Sequence, residues 1–221
     1  MINKSLPNLF TIGNLCMGML AILFIFNNKP ELAAFMVILA MITDGLDGKI
    51  ARALNVQSDF GRELDSLSDV ISFGVAPAFI MYVVLFQDIQ PTIVGLFATA
   101  IFPICGAVRL ARFNVVESQP GYFIGLPIPA AGAILSTIAL FEAEFKPMVL
   151  VIITLLLSVL MVSNIKYPNF KNIHISRKHI WLLLLCIVLL LLSFLYFPEQ
   201  CIMVILAVLC FYALYGLKKK K

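Results

Sequence analysis

Asp44-Gly-Leu-Asp47-Gly48-Lys-Ile-Ala51-Arg52-Ala-Leu-Asn-Val-Gln-Ser58-Asp-Phe-Gly61-Arg-Glu-Leu-Asp65-Ser-Leu-Ser-Asp69 joins two long apolar runs of this chain. Its aspartates at 44, 47, 65 and 69 fall inside or at the edge of segments long enough to cross a bilayer. A carboxylate is costly there and rare outside functional sites. These charges must be paired, coordinated or wetted, and the rest of the chain has to allow it.

Working outward, the composition names the environment. The 221 residues are 62% hydrophobic and only 13% charged, against about 45–50% apolar and about 25% charged in soluble domains. The apolar runs are continuous and do not alternate, which predicts membrane-spanning helices and excludes a transmembrane barrel. The fold class expected is all-α, a polytopic membrane helix bundle. No internal repeat, soluble domain or nucleic-acid-binding pattern is present, so no nucleic-acid partner is expected. The first apolar run ends in Asn27-Asn28-Lys29-Pro30, not in small residues, so a cleavable signal peptide is not expected. Cys16, Cys105, Cys186, Cys201 and Cys210 lie scattered in apolar runs without metal-ligand spacing and read as small buried hydrophobes.

The pattern predicts eight spans, over about residues 9–28, 31–53, 61–86, 91–115, 128–141, 147–164, 179–197 and 200–217. Gly13 and Gly18 permit close helix contact in the first, where Asn14 reads as an interhelical hydrogen-bonding residue. Pro77 lies inside the third and predicts a kink unless neighbouring groups re-satisfy the backbone. Residues 117–127, with Pro120, Gly121, Gly125 and Pro127, read as a loop.

Eight spans put both termini on one side. With that side cytoplasmic, Lys4, Lys49, Arg52, Arg62, Arg109, Arg112, Lys166, Lys171, Arg177, Lys178 and Lys218 to Lys221 all lie at cytoplasmic ends, leaving only Lys29 and Lys146 outside. The positive-inside rule favours this orientation in the cell membrane, with the aspartate stretch at the cytoplasmic face. The lysine tail reads either as a topology signal or as an attraction for anionic lipid, worth about 1 kcal/mol per lysine.

Residues three or four apart share a helix face. Asp44 and Asp47 therefore point one way from the end of the second span, and Asp65 and Asp69 do so from the start of the third. Like charges brought together need compensation, which leaves shared protons or divalent cations. Oxygen-only ligands favour Mg2+ or Mn2+, and a pair of such ions about 3.5–4 Å apart clamps an in-line displacement at phosphorus. Arg52 adds a planar fork suited to phosphate. Gly48, Ala51 and Gly61 are small enough for a bulky group to lie against the backbone, and Ser58 offers a hydroxyl in the connecting turn. A proton or cation pathway, as in a transporter, is the other reading these residues allow.

The spacing Asp44-x-x-Asp47-Gly48-x-x-Ala51-Arg52, eight residues, then Gly61-x-x-x-Asp65-x-x-x-Asp69 resembles the signature of the CDP-alcohol phosphatidyltransferases at every fixed position. The resemblance implies a six-helix catalytic core, usually dimeric, that binds two divalent cations and moves a phosphatidyl group from a CDP-linked lipid to an alcohol. It implies that Asp44, Asp47 and Asp65 are shared metal ligands. Asp69 is implied as a ligand of the second metal and the general base. Gly48, Arg52 and Ser58 are implied as contacts to the CDP-lipid, with Ala51 and Gly61 leaving room for it. Residues 1–170 are then the core, and residues 171–221 a C-terminal extension of two transmembrane helices with a basic tail.

The acceptor is sought outside the motif. Phe10 to Asn14, Arg109 to Asn114, Gly125 to Ala131 and Ser163 to Pro168 resemble stretches of the bacterial membrane-embedded phosphatidylserine synthases. That likeness implies CDP-diacylglycerol and L-serine as substrates. Arg109 and Arg112, three apart, are the candidates for binding the serine carboxylate; snorkelling to lipid headgroups is their other reading. Glycerol 3-phosphate or inositol phosphate would suit two arginines as well.

Overall fold

The computed structural model describes residues 2–53, 58–115, 122–168 and 198–218, with side chains for all of these except 2–6, 46–53, 142–143, 198–202 and 217–218. The span expected over 179–197 lies outside the described residues.

Helix α1 (Ile2–Phe26) and helix α2 (Pro30–Ala53) form an antiparallel hairpin. Asn28 closes α1 in the left-handed region, φ 55°. The Asn28 N–H then bonds the Ile25 carbonyl at 3.1 Å and the Lys29 N–H the Phe24 carbonyl at 3.0 Å, the paired bonds of a Schellman stop. Pro30 opens α2, where its missing N–H costs nothing. Helix α3 (Asp59–Asp69) starts at Ser58, whose hydroxyl accepts the Gly61 N–H at 3.0 Å.

Just ahead of Pro77 the third pass changes register: α3 runs into a π-helical turn, Val70–Val75, and resumes as α4 (Ala76–Val84). The Ala76 N–H bonds back five residues to Ile71. The wider turn ends where Pro77, in the first turn of α4, has no N–H to give and would crowd a regular helix.

Helix α5 (Thr92–Val115) follows, then a short strand β1 (Tyr122–Ile124), helix α6 (Ile128–Ile138), helix α7 (Pro147–Val162), strand β2 (Lys166–Pro168) and helix α8 (Pro198–Lys218). β1 and β2 pair antiparallel, Phe123 opposite Tyr167, in a region the sequence presents as loop and polar segment. Gly125 at φ 78° turns the chain from β1 toward α6, and the Leu126 N–H reaches the Leu160 carbonyl at 3.0 Å. Both strands are three residues long, too short for an alternation signal to register.

Six helical passes (α1, α2, α3 with α4, α5, α6 and α7) precede residue 165 among the described residues, and α8 packs back onto α6 and β2. The centre is α6, in which every residue but Pro129 is buried. A helix apolar on all sides belongs in such a place. Gly132 lets it lie against the π turn: a Cβ there would stand 2.9 Å from the Phe73 Cα. Outward faces carry Leu9, Met19 and Leu23 on α1, Phe97 and Ile104 on α5, Ile152 and Val159 on α7, and Val208 and Phe211 on α8, all exposed. Apolar rows this extensive would be a liability in water and are what a lipid-facing surface requires.

Three helices among the described residues are long and apolar enough to cross a membrane: Pro7–Phe26, Asp59–Val84 and Thr92–Val115. Ile128–Phe141, Pro147–Val162 and Met203–Gly216 are apolar but shorter. α2 is 24 residues long and carries Glu31, Asp44, Asp47, Lys49 and Arg52 among its apolar residues. The chain is an all-α membrane helix bundle.

Candidate active site

Asp65 and Asp69 stand one turn apart on α3 and share its inner face. Helix α1 packs against both α2 and α3, and Asp44 comes from α2 to meet them. Carboxylate oxygens of Asp44, Asp65 and Asp69 all lie within 4.8 Å of one another. Asp44 and Asp65 are half-buried, whereas Asp69 is 6% exposed. Asp47, Gly48, Ala51 and Arg52 continue the α2 backbone past Asp44; their side chains lie outside the described residues. Ser58 is exposed and caps α3. Gly61 lies in the first turn of α3, where a Cβ would come 3.0 Å from Asn8 Oδ1. A larger residue there would require the Asn8 and Ser58 side chains to give way.

Asp69 has a neutral donor. Asn14 of α1, fully buried, donates its Nδ2–H to Asp69 Oδ1 at 3.2 Å, while its backbone carbonyl accepts the Ser72 hydroxyl at 2.9 Å. Gly18, one turn along α1, makes this approach possible, because a Cβ there would meet the Ser72 Cα at 2.7 Å. The interhelical role expected for Asn14 is therefore present, and its partner is one of the motif carboxylates.

The two candidate arginines part company. Arg109 is 7% exposed and lies within electrostatic reach of Asp69 and Asp44. Its guanidinium carbon is 5.6 Å from the centroid of the Phe113 ring, and its Nε has no hydrogen-bond partner among the described residues. Arg112 is exposed and turned to another task. It donates to Asn164 Oδ1 at 2.5 Å and to the Val162 carbonyl at 3.3 Å, closing the end of α7. Asn114 then ties the end of α5 to α3, donating to Ser66 Oγ at 3.0 Å and Glu63 Oε2 at 3.3 Å.

Among the described residues, three carboxylates gather with one guanidinium, Arg109, near Asp69 and Asp44, which leaves an excess of negative charge, and the convergent ligand atoms are all hard oxygens. That set fits a divalent cation of the magnesium or manganese kind. The arrangement suits a phosphate-bearing substrate: Asp44, Asp65 and Asp69 would hold a cation able to neutralise phosphate charge, Asp69 offers a proton acceptor, and Arg109 a buried positive charge beside it.

Two tyrosines enter that sequence reasoning missed. Tyr167 on β2 is fully buried, with a hydroxyl that has no partner among the described residues. Burial pushes its phenol up, so it stays a donor. Tyr212 on α8 lies 5.8 Å from it, ring to ring. A tyrosine in an apolar run carries no signal of such a partner.

Residues 4–165 match the CDP-alcohol phosphatidyltransferase family. The chain is 41% identical over 180 residues to the CDP-diacylglycerol–serine O-phosphatidyltransferase of Helicobacter pylori (strain ATCC 700392 / 26695), covering 78% of this chain and 75% of the relative. It is 40% identical over 167 residues to the protein of that name from Bacillus subtilis (strain 168), covering 76% and 92%. The protein of that name from Methanocaldococcus jannaschii is 41% identical over 162 residues, covering 73% of each.

Proposed function

The chain belongs to the CDP-alcohol phosphatidyltransferase family, and from that membership we propose that it transfers the phosphatidyl group of CDP-diacylglycerol to the hydroxyl of L-serine, giving phosphatidylserine and CMP. The observation that carries the choice of acceptor is the 40–41% identity to relatives named for serine; Arg109, a buried guanidinium beside Asp69 and Asp44, is a cation that the acceptor's anionic group would meet. The names of the relatives from Helicobacter pylori, Bacillus subtilis and Methanocaldococcus jannaschii support the same acceptor.

Asp69 removes the proton of the serine hydroxyl, and Asn14 holds the carboxylate in place while it does so. The freed oxygen attacks the phosphorus that bears the diacylglycerol. The bond from that phosphorus to the bridging oxygen breaks, and CMP leaves with the electron pair. Asp44, Asp47, Asp65 and Asp69 would hold two divalent cations, Mg2+ or Mn2+, whose chemistry when bound is to neutralise phosphate charge and acidify a coordinated hydroxyl. Arg52, Ser58, Gly48, Ala51 and Gly61 receive the CDP-lipid, and Arg109 orients serine. Most of the rate gain comes from positioning and electrostatics.

We place the protein in the cytoplasmic membrane as a homodimer, with the aspartates and both termini facing the cytoplasm, where water-soluble serine is available. Residues 1–170 form the catalytic core and residues 171–221 the extension. The test is an acceptor panel on the purified full chain in detergent, with CDP-diacylglycerol, Mg2+ or Mn2+, and L-serine, glycerol 3-phosphate or inositol phosphate. CMP release with serine, abolished by chelation, is expected. Release only with a phosphate-bearing alcohol overturns the acceptor, and release with none overturns the reaction.

A further inference from the structure

Helix α5 runs antiparallel to the pass formed by α3 and α4, and two contacts fix their register. Gly74 of the π turn admits α5, since a Cβ there would stand 3.3 Å from the Pro103 Cα. Near the end of α5, Asn114 donates to Ser66 Oγ at 3.0 Å. Between these contacts, Arg109 follows Pro103 and Asp69 precedes Gly74, by about 9 Å and about 7.5 Å along their helices, so the two stand at one level. Arg109 is 7% exposed. Among the described residues it forms no ion pair, the two present being those of Arg62, and its Nε has no hydrogen-bond partner. Its neighbour is aromatic: the guanidinium carbon is 5.6 Å from the centroid of the Phe113 ring, one turn along the same face of α5. Phe113 is backed by Phe123 of β1, at 5.9 Å between ring centroids. Phe123 is fixed in turn by the β1–β2 ladder, opposite Tyr167. A buried polar group left open in this way needs an explanation, and a ligand supplies one.

We propose that Phe113, braced by Phe123, is a positioning residue that holds the Arg109 guanidinium in the pose that receives the carboxylate of an amino-acid acceptor. An aromatic face attracts a cation through the ring quadrupole and takes none of its N–H donors. A carboxylate in the same place would occupy those donors and leave fewer for the acceptor. The ring therefore fixes the guanidinium and leaves its planar fork to a substrate anion. The β1–β2 ladder, which lies outside the aspartate motif, gains a task as well, since it steadies the acceptor site through Phe123. This rests on serine being the acceptor and on Arg109 meeting it.

The test uses the full chain in detergent with CDP-diacylglycerol and Mg2+ or Mn2+, comparing wild type, Phe113→Leu, Phe113→Tyr and Phe123→Leu. Phe113→Leu keeps an apolar side chain and removes the ring. The expected result is a rise of about tenfold in KM for L-serine, the scale of a desolvated cation–π contact, with kcat and KM for the CDP-lipid within about twofold. Phe113→Tyr keeps the ring face and should restore the serine KM, while Phe123→Leu should raise it less than Phe113→Leu does. Fluorinated phenylalanine at 113 supplies a second measurement that keeps the packing: fluorine drains the negative face of the ring, so the serine KM should climb with each fluorine added. An unchanged serine KM in Phe113→Leu, or a flat fluorine series, overturns the proposal. So does a parallel loss of kcat and of both KM values in Phe113→Leu, since a merely structural residue would act that way. Wild-type enzyme that ignores serine, or Arg109→Ala with an unchanged serine KM, refutes the underlying reading and this proposal with it. Wild-type enzyme that uses serine through Arg109, with Phe113 variants of unchanged serine KM, refutes only the role of the ring.

Discussion

Replacing Asn14 by leucine tests whether the α1–α3 contact is part of the machinery. The side chains are close in size, and the backbone bond from the Ser72 hydroxyl to the Asn14 carbonyl, 2.9 Å, is untouched. What disappears is the single bond from Nδ2 to Asp69 Oδ1 at 3.2 Å. Hydrogen bonds to charged groups are worth about 1.5–3 kcal/mol, and 3.2 Å is the long end of the N–H···O range, so the lower figure applies. About 1.5 kcal/mol corresponds to roughly a tenfold effect. Because the bond orients the proposed base and does not touch the lipid, the loss should fall on kcat, with KM for the CDP-lipid close to wild type. Asn14→Asp should be far worse, since it sets another carboxylate against Asp69. The assay is steady-state CMP release from monodisperse protein. A kcat for Asn14→Leu within twofold of wild type would refute the idea that Asn14 holds Asp69.

The two arginines should separate in kinetics as they do in space. Arg109→Ala removes a buried cation and should raise KM for L-serine at least tenfold, whereas Arg112→Ala loses exposed hydrogen bonds to Asn164 and Val162, away from the carboxylates, and should leave that KM within a fewfold; equal effects in serine titrations would contradict the assignment. Gly132→Ala presses a methyl onto the Phe73 backbone at 2.9 Å, so overpacking of about 1–3 kcal/mol should lower the apparent melting temperature in detergent. An unchanged or higher value would show that α6 and the π turn have room to separate.

The positions of the helices follow from hydrophobic run length, and α1, α2, α5 and α7 lie where the apolar stretches put them. The interior of the third pass does not follow in the same way. Pro77 announces a disturbance, but not that it takes the form of a π turn ahead of the proline, packed against α1, α5 and α6. The strands β1 and β2 escape notice because their stability comes from each other and from the bond between Gly125 N–H and the Ile165 carbonyl, 2.8 Å.

What the sequence determined by itself was the chemistry available. Carboxylates at 44, 47, 65 and 69, in membrane-length runs and at helical spacing, demand compensation whatever the packing, because the cost of a charge in an apolar medium is a property of the charge. Helical periodicity is local, so Asp65 and Asp69 share a face before any tertiary contact forms. Only the tertiary structure decided which distant groups answer them. Asn14 reaches Asp69 across 55 positions, and Arg109 turns inward while Arg112, one turn on, closes α7. Those choices depend on how helices lean on one another, and a chain read in one dimension does not contain the angle at which they meet.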